Sequence, residues 1–112
     1  MITMQQFGEI EIRVGEVVEA ADVEKSNKLI KLTVDFVAEK RTIFMGVRTY
    51  GYTPADFLGK RFLFVTNLEY RKMMGEESQG MILAVDPSAS SGQAQRPLFI
   101  SAEGLPVGAR LR

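Results

Sequence analysis

Residues 28–36 read KLIKLTVDF, and this stretch decides the fold class of the chain. Its apolar side chains occupy every second position, namely Ile30, Leu32, Val34 and Phe36. Polar residues stand between them, so the pattern has the two-residue period of a strand with one face on a core. A helix would instead repeat its apolar residues at spacings of three and four. Residues 28–36 therefore predict a β-strand.

The preceding segment, residues 12–17, also alternates, but with one irregularity. Val14 and Val17 stand in opposite phases of the alternation, and Gly15 lies between them. A glycine at such a phase change is typical of a β-bulge, which lets a long strand bend around a barrel. We therefore predict a strand with a bulge at Gly15.

Two short helices are predicted from their first residues. Thr3 with Gln6, and Thr53 with Asp56, have the spacing of capping pairs that satisfy free amides at a helix start. Pro54 follows the second cap directly, at a position where proline suits a helix. We expect one helical turn near the N-terminus and one short helix in the middle of the chain.

Three further strands complete the pattern. Residues 41–47 follow a turn, whereas residues 61–66 and 81–85 are apolar on both faces, as enclosed strands are. Five strands with a short helix between the third and fourth match the oligonucleotide-binding (OB) barrel, an all-β fold. Other small barrels also fit the strand pattern alone.

The C-terminal third adds short pieces to this barrel. Residues 86–96 are small and polar without a pattern, which predicts a hairpin tip with no function of its own. Residues 97–100 and 105–111 predict extra C-terminal strands. With 112 residues the chain is expected to form one domain, residues 1–112.

Composition excludes several function classes. The chain has no cysteine and no histidine, so it has no disulfide, no thiolate metal site and no histidine-based nucleophile pair. Its first residues do not show the basic start and apolar stretch of a secretory signal, so we expect none, and it has no apolar run long enough to cross a membrane. We therefore expect a cytoplasmic protein that is not an enzyme and uses no metal or cofactor.

Charge is unevenly distributed although the net charge is zero. Residues 1–24 hold six acids and one base, residues 25–72 hold ten bases and four acids, and residues 73–112 hold three bases and four acids. The middle segment suggests a basic face for a polyanion, or simply a solvated surface. Five of its bases are candidates for an electrostatic rim or for ordinary surface residues: Lys31, Lys40, Arg41, Lys60 and Arg61.

Residues 67–81, NLEYRKMMGEESQGM, fall between the fourth and fifth strands, where OB barrels present a loop to oligonucleotides. The segment contains bases for phosphates, hydroxyl and amide groups for phosphate or a ribose 2′-hydroxyl, and methionines for apolar contact. However, it holds two bases against three acids and cannot attract phosphate by its own charge. It equally fits an ordinary tight turn whose methionines fill the barrel mouth.

The same segment closely resembles the signature of the tRNA-binding domain found at the C-terminus of many methionyl-tRNA synthetases. This family also includes free-standing tRNA-binding proteins and the endothelial monocyte-activating polypeptide II region. The resemblance extends over nearly the whole chain, through residues 12–15, 28–29, 52–54 and 106–110, in the family's order.

The resemblance implies an OB barrel that binds tRNA by shape, around its corner, with little sequence preference. It implies a homodimer formed through C-terminal strands, and either a free-standing role or that of a β-subunit of methionyl-tRNA synthetase. A chaperone-like, peptide-binding relative on the same barrel is the alternative. Carried over by position, the tRNA contacts are Lys28, Asn67, Arg71, Lys72, Ser78, Gln79 and Met81.

The chain departs from the family pattern in three places. Residues 23–27 contain no proline where the family often has one before the second strand. Met45 stands where a serine is frequent, which removes a hydroxyl that could face RNA. The segment 86–96 is longer than usual. These departures concern the loops and the third strand, and they leave residues 67–81 intact.

Overall fold

The structure is a computed structural model that describes residues 1–88 and 95–112. Its elements in this part of the chain are helix α1 (Met4–Gly8), strands β1 (Ile12–Asp22), β2 (Ile30–Asp35), β3 (Lys40–Met45), β4 (Arg61–Val65), β5 (Arg71–Met73), β6 (Glu76–Ser78), β7 (Met81–Ile82), β8 (Ala84–Val85) and β9 (Leu98–Phe99), and 3₁₀ turns at Arg48–Tyr50 and Pro54–Asp56. No helix among the described residues is long and apolar enough to cross a bilayer.

Five strands form the barrel. They make one antiparallel sheet in the order β3–β2–β1–β4–β7, and the 3₁₀ turns lie between the third and fourth strands. The strand predicted at residues 28–36 alternates as expected, with Ile30, Leu32 and Val34 buried in the core. The predicted all-β, five-stranded OB barrel is therefore confirmed.

Both predicted helix starts are present. The Gln6 N–H donates to Thr3 Oγ1 (3.1 Å), and the Thr3 N–H donates back to Gln6 Oε1 (2.8 Å). Thr53 and Asp56 are also bonded to each other: the Thr53 N–H donates to Asp56 Oδ2 (2.8 Å), and the Asp56 N–H donates to the Thr53 carbonyl (3.0 Å). The middle helix is shorter than a regular α-helix, since it is a single 3₁₀ turn, Pro54–Asp56, that precedes β4.

The bulge predicted at Gly15 is wrong. The ladder between β1 and β4 runs without a break through Gly15, which pairs with Phe62. The register shift of β1 lies later, between Val17 and Glu19, where β1 pairs with β2. β1 therefore bends beyond its contact with β4, and Gly15 has a different role.

Gly15 lies where three core side chains converge. A Cβ atom on Gly15 would lie 2.5 Å from Val34 Cγ1, 2.8 Å from Phe36 Cε1 and 2.9 Å from Phe64 Cδ2. All three neighbours are buried, so they have little room to retreat from an added methyl group. The glycine at this position allows β1 to approach the core closely.

The C-terminal segment provides a hydrogen-bonding partner for the first half of β1. The Val14 N–H donates to the Ala109 carbonyl (2.9 Å), and the Leu111 N–H donates to the Ile12 carbonyl (2.8 Å). On its other side this part of β1 pairs with β4. The backbone of β1 is thus bonded on both sides before β2 begins to pair with it.

This C-terminal segment also explains the phase change that suggested a bulge. Val14 is buried with Leu63 and Ala102 in a small second cluster, whereas Val17 lies in the main core. Successive strand residues point to opposite faces, so β1 is apolar on both faces here. β1 therefore has apolar residues in both phases of its alternation because both of its faces are buried, and not because of a bulge at Gly15.

The prediction of one enclosed strand at residues 81–85 is wrong. β7 and β8 are separate two-residue strands, and of Met81, Ile82 and Val85 only Ile82 is buried. β7 lies at the edge of the sheet, whereas β8 leaves the barrel to pair with β9. The predicted tip at residues 86–96 falls between these paired strands, although residues 89–94 lie outside the described part of the chain.

We expect Gly15→Ala to lower the free energy of unfolding by about 1–3 kcal/mol, because the new methyl group overpacks a rigid core. Gly46→Ala is the matched control, since a Cβ at Gly46 would have no atom within 4 Å apart from those of Gly46 and its two chain neighbours. Urea denaturation followed by circular dichroism measures both changes. Equal midpoints for Gly15→Ala and the unsubstituted chain would contradict the close-packing role of Gly15.

Candidate nucleic-acid interface

Most of the signature segment forms a β-hairpin on the outside of the barrel. β5 and β6 pair antiparallel, with Arg71 opposite Ser78. Met74 and Gly75 connect them with positive φ angles of 52° and 82°. Two left-handed residues in a two-residue connection favour the twist of a tight hairpin. We call residues 71–78 the signature hairpin.

The signature hairpin is anchored on β3 by polar contacts of Ser78 and Gln79. Ser78 is 5% exposed, and its hydroxyl accepts a hydrogen bond from the Phe44 N–H (3.1 Å). The Gln79 N–H donates to the Thr42 carbonyl (2.8 Å), and Gln79 Oε1 accepts from the Thr42 N–H (2.9 Å). Both predicted contact residues are thus bonded to the barrel wall.

Arg41 completes the same anchor. Its guanidinium donates to the Gln79 carbonyl (3.0 Å) and to the Thr66 carbonyl, and it pairs with the Glu39 carboxylate (2.5 Å). The Arg41 side chain is 14% exposed. The candidate rim residue Arg41 is therefore a structural link. Residue patterns gave no signal for this role, since its main partners are backbone carbonyls remote in sequence.

Two other rim candidates are also engaged in ion pairs within the chain. Lys31 Nζ lies 2.7 Å from Glu76 Oε1 at the end of the signature hairpin. Arg61 Nε lies 3.0 Å from Glu16 Oε1. The rim expected from the charge distribution is therefore smaller than the number of bases suggests.

Asn67 connects β4 to the N-terminal segment. Its amide donates to the Glu9 carbonyl (2.5 Å), and Asn67 Oδ1 accepts from the Glu11 N–H (2.8 Å). The pKa of the neighbouring Glu11 carboxyl is lowered by hydrogen bonds from the Arg13 guanidinium and the Thr66 hydroxyl. Through its two hydrogen bonds, Asn67 holds the N-terminal segment against the end of β4, a few residues before the signature hairpin.

The remaining predicted contacts are exposed. Lys28, Arg71 and Lys72 have no ion-pair partner among the described residues, and the Met81 side chain is about half exposed. Arg71 and Met81 line a small depression of about 90 Å³ with Ser78 at its wall. Lys72 alternates to the opposite face of β5. The structure thus brings Arg71, Ser78 and Met81 together, whereas Lys28 lies outside this depression, before β2.

Met45 does not face the surface. Its side chain is 5% exposed and packs in the main core. Its neighbour Phe44 points the other way, where Phe44 is buried beneath the signature hairpin. The expectation that a hydroxyl at position 45 could face RNA is therefore wrong, because the alternation of β3 directs this position inward.

A larger groove was not predicted from the sequence. It has a volume of about 600 Å³ and lies between the β1–β2 connection and the tip of the signature hairpin. Residues 22–27 form one wall with Arg48, and Met74 belongs to the other wall. We call this space the loop groove. The only sequence signal for it is the polar run at residues 23–27, which differs from the family pattern.

A comparison with known proteins identifies the relatives of this chain. The profile of the family described as "Putative tRNA binding domain" matches residues 12–110. Methionine–tRNA ligase of Bacillus subtilis is 42% identical over 113 residues, which cover 99% of this chain and 16% of the ligase. The chain thus spans about a sixth of the length of this relative.

Solved structures with the same architecture include two complete chains of similar size. A MetRS-related protein from Pyrococcus horikoshii superposes with a TM-score of 0.89 at 35% identity, covering 100% of this chain and 98% of that chain. The chaperone CsaA from Bacillus anthracis gives a TM-score of 0.82 at 21% identity, covering 100% and 99%. The second likeness concerns the fold alone.

We expect Ser78→Ala to destabilise the protein by about 1–3 kcal/mol, because it leaves the buried Phe44 amide without its acceptor. Ser101→Ala is the control, since Ser101 is exposed and its hydroxyl oxygen, among the described residues, accepts only from the Glu103 N–H (3.2 Å). Thermal unfolding compares the two variants, and hydrogen exchange reports the Phe44 amide. Unchanged protection of that amide in Ser78→Ala would show that the hydroxyl does not anchor the hairpin.

Proposed function

Because this chain belongs to the putative tRNA-binding domain family, we propose that residues 1–112 form one non-catalytic domain that binds tRNA. The observation that carries this proposal is the signature hairpin, which presents Arg71 and Lys72 without ion-pair partners among the described residues. Such cations are available for phosphates, which supply most of the affinity of nucleic-acid binding.

The distribution of ion pairs supports a basic face. Of the ten bases in residues 25–72, four are ion-paired to acids of this chain: Lys31, Arg41, Arg48 and Arg61. The other six have no such partner in the described part of the chain: Lys25, Lys28, Lys40, Lys60, Arg71 and Lys72. These six cations lie on loops, at the start of β3 and on β5, so local positive charge coexists with zero net charge.

We divide the predicted contact residues into two groups. Lys28, Arg71, Lys72 and Met81 are exposed and are proposed to touch tRNA directly. The other three, Asn67, Ser78 and Gln79, bond to the protein itself and are proposed to hold the hairpin in position. Contacts to phosphate and ribose carry little base information, so this interface suits recognition of tRNA by shape around its corner.

We propose that the domain serves as a free-standing binder or as an accessory β-subunit of methionyl-tRNA synthetase, in the cytoplasm. The likeness to methionine–tRNA ligase supports a link with that enzyme, although the chain corresponds to only 16% of the ligase. A tethered or associated tRNA-binding domain raises the effective concentration of tRNA at a partner without taking part in catalysis.

A peptide-binding, chaperone-like role is the second candidate. It is favoured by a mostly apolar groove of about 340 Å³ beside the aromatic residues Tyr52, Phe57 and Phe99. Concave, mostly apolar surfaces with a few polar groups are typical of ligand sites, and the ligand in this alternative is a peptide. The signature hairpin has no role in this alternative, whereas the tRNA proposal uses its exposed cations.

We expect tRNA binding to weaken with salt, with a log–log slope of about −0.7 to −0.9 per phosphate neutralised. Changing Arg71 and Lys72 to alanine removes two such contacts and should make the slope less negative by about 1.4 to 1.8. The matched control replaces Lys40 and Lys60, which are also exposed and without ion pairs among the described residues. Fluorescence anisotropy at several salt concentrations measures each slope.

Failure of unfractionated tRNA to bind at low salt would overturn the proposed function. Equal slopes for the Arg71/Lys72 variant and the unsubstituted chain would show that other residues contact the phosphates. Binding of an unfolded polypeptide together with no binding of tRNA would favour the chaperone-like alternative.

We also propose a homodimer formed through the C-terminal strands. The C-terminal segment already bonds to β1 within its own chain, so an open barrel edge there does not supply the reason for pairing. Support comes instead from exposed apolar side chains in this region, Leu98, Ile100 and Leu105. Burying such a patch against a second copy would remove it from water.

We expect light scattering to give twice the 12.5 kDa mass of the chain. Changing Leu98 and Leu105 to glutamate should shift the particle towards the monomer, because each charge would be buried at the interface. Leu58→Glu is the control, since Leu58 is similarly exposed but lies outside this patch. A 12.5 kDa particle at high concentration would exclude the dimer.

A further inference from the structure

The loop groove has a wall that is held in place by hydrogen bonds. Arg48 pairs with Asp22 (3.1 Å) and donates to the Ser26 carbonyl. The Ser26 hydroxyl accepts from the backbone N–H groups of Lys28 (3.1 Å) and Leu29 (3.2 Å). The β1–β2 connection is thus braced from within, and its conformation does not depend on a ligand.

The opposite wall offers an apolar surface. Met74 is 50% exposed and stands at the tip of the signature hairpin. Its left-handed backbone, with φ 52°, belongs to the tight connection between β5 and β6. A thioether side chain on a fixed turn provides an adaptable apolar surface for a flat ring.

Polar groups line the remainder of the groove. Glu24 contributes a carboxylate, and Asn27 contributes an amide that can both donate and accept. The Glu24 carboxylate has no ion pair among the described residues, and both residues are exposed. Amino groups on the edge of a nucleobase are suitable donors to such a carboxylate.

Cations without ion-pair partners in the described part of the chain stand beside both walls. Lys25 lines the groove and Lys28 follows its wall directly, whereas Lys72 lies two residues from Met74 on the hairpin. Cations on both sides of a polar groove suit the two phosphates that flank one nucleotide. OB barrels generally bind oligonucleotides between these two loops.

We propose that the loop groove binds one unstacked nucleobase of tRNA, with its ring against Met74 and an exocyclic amino group donating to Glu24 and Asn27. This inference rests on the proposed function and deepens it, because it adds a base-reading site to a surface that otherwise contacts phosphate and ribose. A single-stranded loop of tRNA is the source, since paired bases do not present these edges.

The first test uses Met74→Asn, which keeps the turn because asparagine tolerates the left-handed conformation. The affinity for unfractionated tRNA should fall about fivefold to tenfold, whereas binding to a blunt, fully paired RNA duplex should not change. Leu58→Asn is the control, since Leu58 is 52% exposed and lies outside the groove. The salt slope should stay the same, because a methionine neutralises no phosphate.

The second test examines the base edge. Oligo(A) and oligo(C) should compete with tRNA better than oligo(U), because uracil has no exocyclic amino group. Glu24→Ala should abolish this difference, whereas Glu9→Ala, at another exposed glutamate outside the groove, should retain it. Circular dichroism confirms that the variants fold.

The outcomes separate this inference from the proposed function. Unchanged tRNA affinity in Met74→Asn, with Arg71 and Lys72 still required, would overturn the base site and leave tRNA binding intact. Equal competition by the three oligonucleotides would overturn base reading by Glu24. Absence of tRNA binding by the unsubstituted chain would overturn both proposals.

Discussion

The bonds of Gln79 and Arg41 to the barrel wall are the constraint on which the functional surface depends. β3 and β7 are the two edges of the sheet, and they do not form a ladder with each other. The Gln79 backbone and side-chain amide both bond to Thr42, while Arg41 spans the gap to Gln79 and Thr66. These bonds satisfy edge groups that would otherwise be open to other chains. They also fix where the signature hairpin leaves the wall.

The cations of the chain fall into two groups, those bonded to other groups of the protein and those without an ion pair among the described residues. Arg41, Arg48 and Arg61 reach backbone carbonyls as well as carboxylates, so their charge is used to hold strands and loops together. The guanidinium group suits this task because it donates several hydrogen bonds in a fixed plane. Of the bases in residues 25–72, those without ion pairs in the described part of the chain stand on loops, at the start of β3 and on the signature hairpin. A neutral chain can therefore present a basic surface.

Much of the fold follows from local patterns. The alternation at residues 28–36 and the two capping pairs depend on residues close in sequence, and the structure contains both. The bulge assigned to Gly15 failed for a physical reason, since β1 is buried on both faces by elements far away in sequence. The enclosed strand expected at residues 81–85 failed because an apolar sequence does not reveal whether neighbouring strands cover it.

The sequence by itself determined the class of barrel, the family and the segment that carries its signature. Only the tertiary structure decided which residues of that segment are available to a ligand. Ser78, Gln79 and Asn67 have the chemistry of RNA contacts, yet their polar groups are bonded to the protein. Arg71, Lys72 and Met81 remain exposed. The reason is that a donor or acceptor has the same identity in the sequence whether its partner is solvent, RNA or a distant backbone group, and folding alone assigns that partner.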